Sequence, residues 1–129
     1  MADYPADLRY TKEHEWIKVN GNTGIVGITT FAVEQLGDIT MVELPSEGDE
    51  FEKEQVFGTV ESVKAVSDLF APVTGTVARV NSPLADSPEY VNEDPYDEGW
   101  MIEIEISSTD ELEELMSVEE YSAFVAEQE

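Results

Sequence analysis

The chain has 129 residues, 30 of them acidic and 6 basic, for a formal net charge of −24, and it contains no cysteine. That length fits one domain with a real core and leaves no room for a second, while so negative a body repels nucleic acid and anionic membranes. Without cysteine there is no disulfide, no thiolate metal site and no cysteine nucleophile, so any redox sulfur has to arrive on a cofactor.

Trp16 to Val19 and Gly24 to Ile28 read as a hairpin closed by Asn20-Gly21-Asn22, because Asn-Gly readily supplies the positive φ of a tight turn. Thr30 to Gly37 reads as a short helix with a threonine cap and a glycine stop. Strands resume over Ile39 to Leu44 and Phe51 to Val63, around the turn Pro45-Ser46-Glu47-Gly48-Asp49. Period-two alternation sets Val56, Gly58, Val60 and Ser62 on one face of the second strand and Phe57, Thr59, Glu61 and Val63 on the other. The strand ends at Lys64, in a chain whose other lysines are Lys12, Lys18 and Lys53. An amine at a hairpin tip can be acylated, which turns a charge into a tethered group. Taken alone, Lys64 reads as a solubilising surface lysine, as most exposed lysines are.

Ala71-Pro72 opens the next strand, since proline is tolerated at a strand's beginning. Gly75 to Val80 repeats the Gly-Thr-Val-x-x-Val pattern of Gly58 to Val63, which predicts matched strands flanking the lysine turn. Asn81 to Gly99 reads as loop, punctuated by Pro83, Pro88 and Pro95, and Trp100 to Ile106 as a strand with its glutamates on one face. Two capping boxes follow, Ser108 with Glu111 and Ser117 with Glu120, the second flanked by Met116 and Tyr121 as a hydrophobic staple. Leu112, Leu115, Tyr121, Phe124 and Val125 form a stripe that would face the sheets.

Other candidate sites dissolve on inspection. His14 is the only histidine, so it builds neither a multi-histidine metal site nor a conventional serine triad. Asn92, Glu93, Asp94, Asp97 and Glu98 miss the spacing of a calcium loop and are interrupted by Pro95. Glu103 with Glu105 says nothing of acid-base chemistry in so acidic a chain, and Gly24, Gly27 and Gly37 lack the lysine and hydroxyl of a phosphate loop. No metal is expected.

The order Glu61-Ser62-Val63-Lys64-Ala65, then Leu69, Ala71-Pro72, Gly75 and Val77, resembles the lipoyl-attachment signature, in which a lysine at a β-hairpin tip carries lipoic acid in amide linkage. Three further stretches resemble the H-protein family of the glycine cleavage system. They are Tyr10 to Trp16, Val26 to Thr29 running through Gln35-Leu36-Gly37-Asp38 to Val42-Glu43-Leu44-Pro45, and Val91 to Tyr96 with Gly99-Trp100. The likeness runs from about Leu8 to Phe124.

This resemblance implies a mainly β (all-β/α+β) fold, a barrel-sandwich hybrid of two antiparallel sheets with short helices and a C-terminal helix. It implies one domain over 1–129, with a lipoyl core over about 23–106 and a C-terminal helical segment over about 109–127. Lys64 would carry lipoic acid, and Glu15 and Asp68 would lie at the cleft where the loaded arm rests. Glu13 stands where a small hydroxyl residue can occur in the family. The implied role is a non-catalytic, monomeric carrier that shuttles the aminomethyl group of glycine. Its partners would be glycine decarboxylase with pyridoxal phosphate, aminomethyltransferase with tetrahydrofolate, dihydrolipoamide dehydrogenase with FAD, and a lipoate ligase or a lipoyl or octanoyl transferase.

A lipoyl domain of a 2-oxoacid dehydrogenase would bring a linker and a catalytic domain, and a biotin carrier would place methionines where Val63 and Ala65 stand. An unmodified acidic interaction module is the alternative of a different class. Acidic residues spread from Asp3 to Glu129 over a 41% apolar chain fit a solvated shell on a folded core, as in proteins of salt-accumulating halophiles. No apolar run approaches membrane-spanning length, and the start Met1-Ala2-Asp3-Tyr4 is acidic where a targeting peptide would be basic, which predicts a cytoplasmic protein.

Overall fold

The computed structural model describes residues 4–128, so the Met1-Ala2-Asp3 start and Glu129 lie outside the described residues. β1 (Arg9–Tyr10), β2 (Glu15–Asn20) and β3 (Thr23–Ile28) form an antiparallel meander, with Asn20 opposite Thr23 across the tight turn. Gly21, at φ +65°, is the left-handed residue of that turn, which suits a type II′ connection with glycine in its first central position. α1 (Thr30–Leu36) follows, capped by the Thr29 hydroxyl accepting from the Ala32 amide and stopped at Gly37, φ +81°. The capping threonine is thus the one before the helix.

β4 (Ile39–Glu43), β6 (Val56–Ser62) and β7 (Val66–Phe70) make a three-stranded antiparallel sheet in the order β4-β6-β7, once β5 (Glu50–Phe51) has been passed. With β8 (Gly75–Val80) and β9 (Ile102–Ile106), the other sheet has six strands in the order β1-β2-β3-β9-β8-β5. The expected single strand over 51–63 is therefore two strands in different sheets. The chain changes sheet through Glu52 to Gln55, where Glu54 takes φ +73°. The return crossing lies alongside: Glu54 N–H donates to Ala71 O, and Ala71 N–H to Gln55 O.

Ala71-Pro72 is accordingly a crossover and not a strand opening, and the partner of the lysine turn is β7, which begins two residues after Lys64. A proline that cannot donate to a ladder sits well where the chain leaves one. The Gly-Thr-Val-x-x-Val repeat marks equivalent places in the two sheets. A Cβ on Gly58 would collide with the Glu43 carbonyl oxygen, and one on Gly75 with that of Glu105. A register shift at Val56/Gly58 leaves Phe57 as the extra residue of a bulge. Phe57 and Val60 both turn inward as a result, against the alternation expected for β6.

Ile17, Val26, Ile28, Val60, Leu69, Val77, Ile102 and Ile104 belong to one continuous buried cluster drawn from both sheets. A second, aromatic cluster of Tyr10, Trp16, Phe31, Tyr121 and Val125 joins α1 and α3 (Val118–Gln128) to the outer strands. The segment read as loop contains a 3-10 turn over Ser82–Ala85 and α2 (Glu89–Glu93), each led by a proline, because a fixed φ starts a helical turn as readily as it breaks one. Of the two capping boxes, the second forms as expected: Ser117 N–H donates to Glu120 Oε1 at 2.9 Å and Glu120 N–H to Ser117 Oγ at 3.2 Å. The first does not, because Glu111 instead receives the amide and hydroxyl of Thr74, at 2.6 and 2.8 Å, next to the start of β8.

Candidate functional site

β6 ends at Ser62 and β7 begins at Val66, so Val63-Lys64-Ala65 is the tip. Ser62 shapes it: its amide donates to Ala65 O at 2.8 Å, and its hydroxyl oxygen accepts from the amides of Lys64 (3.3 Å) and Ala65 (3.1 Å). This is the local competition of a serine side chain with regular pairing that turns a chain sharply. Lys64 is exposed, and Val63 and Val66 beside it are 72% and 66% exposed, apolar surface that the fold leaves in water. Among the described residues no carboxylate lies within salt-bridge distance of the Lys64 amine.

The tip is tethered from one side. Val63 N–H donates to Asp38 O at 3.2 Å, one step beyond the Ile39–Ser62 pairing of β4 with β6. The Lys64 Cε methylene passes over Gly37, 3.5 Å from where a Cβ on that glycine would stand. Asn92 of α2 clamps the same stretch, accepting from Ile39 N–H at 2.8 Å through Oδ1 and donating to Gly37 O at 2.9 Å through Nδ2.

An open cleft of about 300 Å³ lies along the start of β2, lined among others by Thr11, Glu13, Glu15, Lys53, Phe70 and Glu114. Glu15 is 1% exposed. Its Oε1 accepts from the Thr11 hydroxyl at 2.7 Å and its Oε2 from the Phe70 amide at 3.1 Å, so the side chain ties the six-stranded sheet to β7. Desolvation pushes its pKa up to about 8; the two hydrogen bonds oppose this and the nearby Glu13 charge adds to it. Lys53 pairs with Glu114 at 2.9 Å on the same wall. Asp68 is exposed on β7, opposite Thr59, and does not line the cleft. The structure thus brings Glu13 and Glu15 to one cleft and leaves Asp68 outside its lining.

The pairing of Lys53 with Glu114 and the clamp made by Asn92 were not legible in the sequence. Lys53 meets Glu114 across 61 positions, a separation that no local pattern reports. His14, at φ +69°, places Nδ1 2.8 Å from the Tyr121 hydroxyl and packs against Phe31, a structural role in the aromatic cluster. Among the described residues no three metal-ligating side chains come together, and no helix is long and apolar enough to cross a membrane.

The model of the glycine cleavage H-protein family matches residues 8–128. The chain belongs to the glycine cleavage H-protein family. A glycine cleavage system H protein of Carboxydothermus hydrogenoformans is 56% identical over 128 residues, covering 99% of this chain and 98% of that protein. One of Anaeromyxobacter sp. (strain K) is 58% identical over 127 residues, covering 98% and 99%. The crystal structure of a glycine cleavage system H protein from Mycobacterium marinum superposes with a TM-score of 0.88 at 37% identity, over 95% of this chain and 99% of that one. The H-protein family supplies the lipoyl carrier of the glycine cleavage system, and the two antiparallel sheets with a projecting lysine hairpin are the architecture expected from the sequence.

Proposed function

We propose that Lys64 is the residue that carries lipoic acid, in amide linkage through Nζ, and that the chain shuttles the aminomethyl group of glycine without itself catalysing a step. The observation that carries this reading is an exposed lysine, clear of any carboxylate partner among the described residues, at the ordered tip of the β6–β7 hairpin of an H-protein family member. An acylating enzyme needs a neutral, reachable amine, and this one stands on a tip held by the Ser62 and Asp38 hydrogen bonds. When attached, lipoate supplies the dithiolane that accepts the aminomethyl group. The protein's part is to present it, so that a tethered group meets successive active sites at high effective concentration.

Those sites would belong to glycine decarboxylase, aminomethyltransferase and dihydrolipoamide dehydrogenase. A lipoate ligase or a lipoyl or octanoyl transferase would make the modification, and the carrier would work as a cytoplasmic monomer, one domain over 1–129. Glu15, with Glu13 beside it, suits the cleft to a cationic amine. A cation seated there would favour the ionised Glu15, generating a carboxylate where a charge-assisted hydrogen bond can form. Asp68 would act from the exposed face of β7, outside the cleft lining.

Lys64→Arg tests the attachment. It keeps the charge and the fold but lacks an acylatable amine. Incubated with a lipoate ligase, ATP and lipoate, the wild type should gain one lipoyl mass and the variant none. Lipoyl mass on the variant would overturn the assignment.

A further inference from the structure

The start of β4 joins its sheet through an irregular pairing. Gly37 has left-handed backbone at φ +81°, and the pairing of β4 with β6 slips between Ile39 and Met41, so the Ile39–Ser62 pair and the Val63 N–H to Asp38 O bond are cut off from the regular ladder on which the rest of β4 relies. Beyond the helix-end bond of Gly37 N–H to Val33 O, one side chain from outside the sheet fastens it at both ends. The Asn92 carboxamide takes Ile39 N–H on one side and gives to Gly37 O on the other, and only this orientation of the amide satisfies both. Between those two bonds lies Asp38, whose carbonyl accepts the Val63 amide next to Lys64. Lys64 itself runs over Gly37.

We propose that Asn92 is a positioning residue for the attachment lysine: through Gly37 to Ile39 it sets where the tip, and so the Lys64 amine, is presented to the enzymes that act on it. The inference rests on the reading of Lys64 as the attachment site. A three-residue tip beyond the last strand pair frays easily in water, whereas a tip bonded to a clamped carbonyl does not. The coupling reaches from the proline-started α2 to the hairpin, so the segment 89–93 is part of the arm's base.

Asn92→Asp is close to isosteric, keeps an acceptor for Ile39 N–H, and sets an oxygen against the Gly37 carbonyl where a donor stood. Two measurements read it: hydrogen exchange of the Val63 amide, and kcat/KM for lipoylation by a lipoate ligase with ATP and free lipoate. Exchange should quicken and kcat/KM fall, each by about tenfold, the size expected of one lost hydrogen bond. Val125→Ala, a truncation in α3 away from the tip, serves as a variant of lowered global stability and should leave both at wild-type values. Should Asn92→Asp fail to fold, Asn92→Ser, which can replace only one of the two bonds, is read in the same way. Wild-type kcat/KM in the folded Asn92 variant, or equal losses in Val125→Ala, overturns the positioning role. Lipoyl mass on Lys64→Arg would instead overturn the attachment site, and Val63 exchange distinguishes the two failures because it needs no lipoate.

Discussion

At Glu15 a carboxyl group is buried with two donors, the Thr11 hydroxyl and the Phe70 amide, and desolvation still prevails, leaving its pKa at about 8. The folded value lies above the unfolded one, so the folded state holds a proton that the unfolded state releases as pH rises through about 4.5. The stability contributed by Glu15 is therefore greatest below that point, declines between about 4.5 and 8, and is level above. Glu15→Gln removes the titration and keeps an acceptor for Phe70. Urea denaturation at pH 5, 6.5, 8 and 9 should show the variant gaining on the wild type, by on the order of a few kcal/mol across the window and no further above it. A difference that stays constant with pH would show that Glu15 ionises in the fold as it does in water. The sequence placed Glu15 before Trp16 in a stretch marked by resemblance. Its burial could not be read there, because β2 buries Glu15, Trp16 and Ile17 in succession, with both faces covered at that end.

Among the elements, β6 leads into the lysine tip and is shaped by its bulge. Phe57 and Val60 both point inward only because the bulge adds a residue, and Gly58 permits the close approach of β4, its missing Cβ facing the Glu43 carbonyl. The nearest atoms are all backbone of Glu43 and Leu44, so nothing flexible is there to yield. Gly58→Ala should destabilise by about 3 kcal/mol, read from the urea midpoint, as overpacking against rigid neighbours does. A loss under about 0.5 kcal/mol would mean that β4 and β6 can separate without penalty. At α3 the capping box is formed in both directions, so Ser117→Ala should cost about 1 kcal/mol by the same measurement. An unchanged midpoint would make the box ornamental. The first capping box shows the limit of such local reasoning: Ser108 and Glu111 have the right spacing, yet Thr74 offers Glu111 two donors from another part of the chain.

For the whole molecule, charge dominates. The 6 basic residues stand against 30 acidic ones, and the described residues show two salt bridges, so most carboxylates have only water and one another. Folding brings them closer than they stand in the open chain. The screening length is about 8 Å at physiological ionic strength and about 3 Å at 1 M, so molar salt removes most of that repulsion. Against a typical net stability of about 5 to 15 kcal/mol, a few kcal/mol of repulsion is enough to move the melting point. Tm should rise by several degrees between 0.1 and 3 M KCl, with NaCl as the control for ion identity. A flat Tm would remove the salt-adapted reading and leave the carrier untouched.

The sequence by itself determined what depends on neighbours along the chain. The Gly21 turn, the Gly37 helix stop, the Ser117 capping box, the alternation of Ile102 to Ile106 and the Glu61 to Ala65 signature around Lys64 all rest on backbone preferences or short spacings. Family membership was legible too, because the Lys64 signature and the stretches Tyr10 to Trp16, Val26 to Pro45 and Val91 to Trp100 occur in one order over nearly the whole chain. Only the tertiary structure decided that Phe51 and Val56 belong to different sheets and that Ala71-Pro72 is a crossing. It also decided that Glu13 and Glu15 share a cleft that Asp68 does not line, and that Asn92 reaches across to Gly37 and Ile39. The reason is physical: desolvation, steric closeness and long-range hydrogen bonds depend on which distant segments meet, and local pattern carries no term for that.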